Sequence, residues 1–257
     1  MPADRVDDAS MIWRAASLAA LLILWQTATW LAGESSLPSP ATVALEIMRE
    51  AGSGALARNL GATLARVAAA FAIAMTAGVA TGYAMGRSPG FDRVADPWLI
   101  LLLNLPALVI IVLAYIWFGL TEAAAIGAVA INKFPNTVAT IREGARALDP
   151  ALDEMSHAFA FNRWTRMRHL VIPQLAPYFA AAMRTGLSLT WKIVLVVEIL
   201  GRPNGVGFAI GTAFQLFDVG RILAYALSFV AIMLVIETWV VQPFERRASQ
   251  WRRPGRN

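Results

Sequence analysis

Between two apolar halves of the chain lies DEMSHAFAFNRWTRMRHLVIPQLAP, residues 153–177, in which Asp153, Glu154, Arg163, Arg166 and Arg168 stand close together. Carboxylates followed by arginines suit the gripping of a charged surface through charge-assisted hydrogen bonds better than bond-making. Catalysis lacks its parts here. His157 and His169 are the only histidines, there are no cysteines, and no His/Asp/Glu cluster has metal-ligand spacing, so no metal is expected. No GxSxG elbow or Ser/His/Asp set is present. A phosphate-cradling loop GxxxxGK(S/T) needs a lysine after a glycine, whereas the only lysines, Lys133 and Lys192, follow Asn132 and Trp191. GRPNGVG at 201–207 does not join a strand to a helix and reads as a flexible outer loop, not a dinucleotide site. The chain is not expected to be an enzyme.

Lys133 and Lys192 offer a different chemistry, because each falls near the middle of an apolar run, where an ionisable group is costly. Two readings are open. Each lysine pairs with a polar neighbour such as Asn104, Asn132 or Glu198, or the two lower the barrier to an anion. Asn104, Lys133 and Lys192 are the candidate path residues.

The elements that must position these groups are membrane spans. Hydrophobic residues make up 58% of the 257 and charged ones only 15%, which does not describe a soluble surface. Windows near 12–32, 60–85, 95–118, 122–141, 173–200 and 222–243 each approach the roughly 20 apolar residues that cross a bilayer. The expected fold is therefore all-α and polytopic, with about six transmembrane helices. Asp4, Asp7 and Asp8 in the leader and the length of the first run argue for an uncleaved helix rather than a signal peptide. Fourteen arginines fall in the two tails and in the second and fourth connections, against four on the other side, so both termini and residues 153–177 are expected in the cytoplasm. That distribution accounts for the net charge of +5 without nucleic acid. Gly78, Gly82 and Gly86 form a small-residue ridge for close helix packing, and LPSP at 37–40 marks an outer turn.

Within the charged stretch, Asp149 followed by Pro150 is a helix start, and the helix is expected to run to about Asn162. At 100° per residue Leu152, Met155 and Phe159 share one face, with Glu154, Ala158 and Phe161 nearly opposite. A helix apolar on both faces fits a clamp between its own bundle and a second protein. Ile172 and Pro173 are expected to open the fifth span.

Glu154, Ala160 six residues on, and then Ile172–Pro173 resemble the EAA signature of ABC importer permeases. LPSP at 37–40, NLGATLARVAAAF at 59–71, IWFG at 116–119, FPNT at 134–137 and TWKIVLVVEILGRPNGVG at 190–207 are similar, in order and spacing, to the nitrate/sulfonate/taurine type. The resemblance covers roughly residues 37–245 and departs at EMS, where Met155 and Ser156 replace the alanines, and at Ala160, where the family has glycine. It implies a type I ABC importer permease fold. The domain reading is a cytoplasmic tail at 1–11, a first helix and outer loop at 12–58, the transmembrane domain at 59–245 with its coupling helix near 150–163, and a basic cytoplasmic tail at 246–257. It also implies an inner-membrane location, a separate ATPase carrying ATP and Mg, a second permease copy, an extracytoplasmic solute-binding protein, and no cofactor in this chain. The residues implied to meet the ATPase are Asp153, Glu154, Ala158, Ala160, Phe161, Arg163 and Pro173. The implied function is passage of a small anion of the nitrate/sulfonate/taurine class. The alternatives are another small organic solute such as a vitamin precursor, a secondary transporter, or a non-transporting scaffold.

Overall fold

The computed structural model describes residues 4–243; the basic stretch 246–257 lies outside them. The elements are α1 (Asp4–Ala32), α2 (Pro40–Gly52), α3 (Ala55–Arg87), α4 (Pro89–Asn104), α5 (Ala107–Phe118), α6 (Glu122–Arg146), α7 (Pro150–Ala158), α8 (Arg163–Arg166), α9 (Ile172–Gly201), α10 (Val206–Gln215) and α11 (Val219–Ile236). All regular structure among the described residues is helical. Helix α1 begins at Asp4, inside the stretch expected to be a tail.

Central to the bundle is α6, held between α3 and α9. Small residues bring the backbones together. A Cβ on Gly82 would stand 2.6 Å from the Val138 carbonyl oxygen, and one on Gly78 2.6 Å from the Thr137 Cβ, so the glycine ridge seats α3 directly on α6. The core there is built from Val67, Ala70, Ala74, Ala128, Val129 and Val194.

Counted by length and apolar composition alone, three of the described helices can cross a membrane, or up to four with the bent pair. Helix α6 has 25 residues but is enclosed by protein, so it need not be apolar on every side. The apolar part of the first helix is Ala16–Ala32. The window at 95–118 is not one helix: α4 and α5 meet at 97°. Pro106 lacks an N–H and pushes Leu105 out of helical geometry, to ψ 125, which breaks the span.

Pro173 stands in the first turn of α9 but does not begin a new helix. The helix begins at Arg163 and passes through a π-turn, Met167–Val171, into α9, as one run of 39 residues to Gly201. The wider turn accommodates a proline that donates no hydrogen bond. Two helices were not foreseen. One is α2, capped by Ser39, whose hydroxyl accepts from the Thr42 N–H at 3.2 Å. The other is α10, which follows the glycine-rich stretch 201–207.

Candidate functional site

Helix α7 is set at one end of the bundle by paired caps. The Asp149 carboxylate accepts from the Ala151 N–H at 2.9 Å, with Pro150 in the first turn. The helix stops at Ala158, earlier than Asn162, because Ala160 turns left-handed at φ +49. Phe161 N–H then donates to the Ser156 carbonyl at 2.9 Å and Ala160 N–H to that of His157 at 3.0 Å, the paired bonds of a Schellman stop. Asn162 is instead the cap of α8, accepting from the Thr165 N–H at 2.7 Å.

The faces of α7 differ from those expected. Leu152, Asp153 and Ser156 turn toward the bundle, whereas Met155 and Phe159, expected to share a face with Leu152, are exposed, Phe159 to 72%. Outward with them lie Glu154, Ala158, Phe161 and Arg163. Asp153 is a fastening within the chain: Arg87 of α3 donates to it at 2.9 Å and Arg166 pairs with its other oxygen. Partial burial opposes its charge, yet the hydrogen bonds from Arg166 and Arg87 hold its carboxyl below the ordinary carboxylate value. Near the same end Arg142 and Arg146 of α6 pair with Asp92 of α4, Arg146 at 2.5 Å. What remains free to meet another protein is a surface of Phe159, Phe161 and Trp164 around Glu154 and Arg163.

The candidate path residues are not brought together. Lys133 is 1% exposed, wedged where α6 meets Gly186 of α9 and Phe71 of α3, and its ammonium has no hydrogen-bond partner among the described residues. Of the two readings, pairing of Lys133 with Asn104, Asn132 or Glu198 is thus not made. Lys192 lies exposed on α9, with its Nζ 5.6 Å from the Trp191 ring centroid. Asn104 sits exposed at the break between α4 and α5, donating to the Ile100 carbonyl at 2.8 Å.

At the end of the bundle away from α7 lies a polar network missed from the sequence. Arg66 of α3, 4% exposed, donates to Glu198 at 2.6 Å and to both oxygens of Glu122, at 2.6 and 2.8 Å. Arg202 also donates to Glu122, at 2.5 Å. Glu198, fully buried, accepts from Thr63 at 2.9 Å and from the Gly207 N–H at 2.8 Å. The stretch 201–207 is therefore pinned, not flexible. Gly205, at φ +113, donates to Asn59 at 3.0 Å, and a Cβ there would fall 2.3 Å from the Glu198 carboxyl carbon. Asn59 continues the chain to Tyr225 and, through its hydroxyl, to Glu50 of α2 at 2.6 Å. Two arginines against two glutamates leave the network with no net charge, but removing either member of the buried Arg66–Glu198 pair strands the other. The signal available in the sequence was Arg66 itself, an ionisable residue inside the apolar window at 60–85.

The fold is that of membrane transport subunits. The structure aligns with the methionine ABC transporter MetNI in an inward-facing conformation at a TM-score of 0.66 and 16% identity, over 78% of this chain and 99% of that one. It aligns with an amino acid ABC transporter at 0.60 and 20%, over 78% and 97%. Residues 74–249 match the family described as Binding-protein-dependent transport system inner membrane component, and the chain belongs to that family. It is accordingly an ABC importer permease. Its relatives include the taurine transport permease TauC of Escherichia coli, 25% identical over 91% of this chain and 88% of that protein. The nitrate import permease NrtB of Synechocystis is 28% identical, over 85% and 82%. The riboflavin transport permease RibX of Chloroflexus aurantiacus is 30% identical, over 91% and 88%.

Proposed function

We propose that the chain passes a small anionic solute of the nitrate, sulfonate or taurine class inward across the cytoplasmic membrane, driven by a separate ATPase seated on α7. The observation that carries this reading is the exposed, partly aromatic end of α7, held rigidly to the bundle through Asp153 while Glu154, Ala158 and Phe161 face outward. An orientation with α7 and both termini in the cytoplasm is supported by Arg87, Arg142, Arg146, Arg163, Arg166 and Arg168 at or near that end. The solute class is supported by the relatives that carry taurine and nitrate.

ATP and Mg belong to the partner in this reading. A second permease copy completes the path, and an extracytoplasmic binding protein delivers the solute. ATP drives transport only if the assembly binds it with different affinity in its two states, since equal affinity shifts nothing. Apolar burial holds the α7 joint and charge orients it. An aromatic anchor contributes a few kcal/mol to an interface, an exposed ion pair about 1 or less. Phe161→Ala is therefore expected to weaken copurification of the ATPase more than Glu154→Ala, which chiefly uncouples hydrolysis from uptake. Full retention of the ATPase together with normal uptake in both variants overturns the assignment of α7.

A further inference from the structure

Helix α9 divides sharply into two faces. Ala182, Gly186, Thr190, Val194 and Val197 are buried against the bundle, while Thr185, Ser188, Leu189, Lys192, Val196 and Ile199 form an exposed stripe at intervals of three and four residues. Thr185 and Ser188 lie within roughly 3 Å of the midpoint of Ile172–Gly201, and Lys192 roughly 8 Å from it, at 1.5 Å per residue. Other spans turn different residues outward. On α5 these are Val109, Val112 and Ile116. Hydrocarbon can cover that face. Thr185 donates its hydroxyl to the Ala181 carbonyl at 2.9 Å and can rest there, but hydrocarbon is a poor cover for the Ser188 hydroxyl and the Lys192 ammonium, which demand water, a partner or a polar solute.

A cavity of 410 Å³ opens beside the stripe, lined by Arg184, Thr185, Ser188, Trp191, Met233 and Glu237 among others, and is of a size that holds a small molecule. Its own charges offset one another, since Arg184 and Glu237 approach to 3.8 Å. Lys192 is different: its ammonium is met by the Trp191 ring, and no carboxylate forms an ion pair with it among the described residues. The stripe therefore carries one uncompensated positive charge next to the Ser188 hydroxyl, which can donate to an oxyanion.

We infer that the Thr185–Ser188–Lys192 stripe of α9 is the wall of the water-filled solute path and selects anions, with Lys192 setting the sign. Lys133, sealed between α3, α6 and α9, takes no part in that wall in this conformation. The inference rests on the anion-importer reading for its solute but not for its test.

Because the chain has no cysteine of its own, single thiols report their surroundings directly. Thr185→Cys and Ser188→Cys, each in the full chain assembled with its ATPase in membranes, are expected to react with water-soluble thiosulfonates, whereas Val112→Cys on α5 reacts only with a lipid-soluble maleimide. At Ser188→Cys the sulfonate-bearing thiosulfonate should outpace its trimethylammonium counterpart, and adding Lys192→Met should lower that rate ratio about tenfold, the effect of one charge about 6 Å away through water. Lys192→Arg should keep the ratio. Thiols at 185 and 188 that react only with the maleimide, or a ratio unmoved by Lys192→Met, overturn the inference. Taurine and nitrate uptake by the unsubstituted complex is measured in parallel. Absence of both overturns the proposed solute class, while the labelling decides the stripe on its own.

Discussion

At the scale of single residues, Ala160 shows what a signature glycine is for. The stop of α7 requires a left-handed residue, and Ala160 supplies it at φ +49 with a Cβ that this region disfavours. The two Schellman bonds, closed by Ala160 and Phe161, hold it there and aim Phe161 outward. Ala160→Gly should therefore relieve strain worth about 1 kcal/mol, partly offset by the greater freedom of glycine in the unfolded chain. A small rise in thermal midpoint and stronger hydrogen-exchange protection across residues 150–163 would record it; a drop in both would show that Ala160 is unstrained. The sequence displayed the departure from glycine, but the conformation that gives it meaning lies in the backbone.

At the scale of elements, the seam between α3 and α6 decides how closely the bundle closes. Gly82 meets backbone there, at 2.6 Å from the Val138 oxygen to an added Cβ, and backbone cannot rotate aside. Gly61, on the same helix, has nothing within 4 Å of its Cβ position. Gly82→Val is thus expected to cost at least 1–3 kcal/mol through overpacking and to reduce the yield of folded protein in detergent, with Gly61→Ala near neutral. Equal yields for the two would mean that the helices part without penalty. The four-residue glycine spacing was legible because it is a helical period. The break at Leu105–Pro106 was less so: the apolar pattern runs straight through it, and only the missing N–H of Pro106 marks the bend. Helix α10 was hidden for the opposite reason, being too short and too close to glycines to stand out from a loop.

At the scale of the whole molecule, the two ends of the bundle are fastened differently. Arginine–aspartate pairs, partly open to solvent, tie α3, α4, α6, α7 and α8 at one end, and the buried Arg66–Glu198 pair with half-exposed Glu122 ties α3, α6, α9 and α10 at the other. With the arginine-rich end in the cytoplasm, a cysteine at Asn162 should be protected from impermeant thiol reagents in intact cells, and one at Pro38 or Asn204 should react. Labelling of position 162 from outside would reverse the orientation. Composition and periodicity alone determined that the chain is a helical membrane protein, that Gly78, Gly82 and Gly86 pack, and that a helix is capped at Asp149, because these depend on local spacing and on the cost of polar groups in hydrocarbon. Only the tertiary structure decided that Asp153 turns inward to Arg87 and Arg166, that Lys133 is sealed while Lys192 is exposed, and that Arg66 reaches Glu198, 132 positions away. The physical reason is the same for each: a side chain's charge is written in the sequence, but the group that neutralises or covers it comes from another helix.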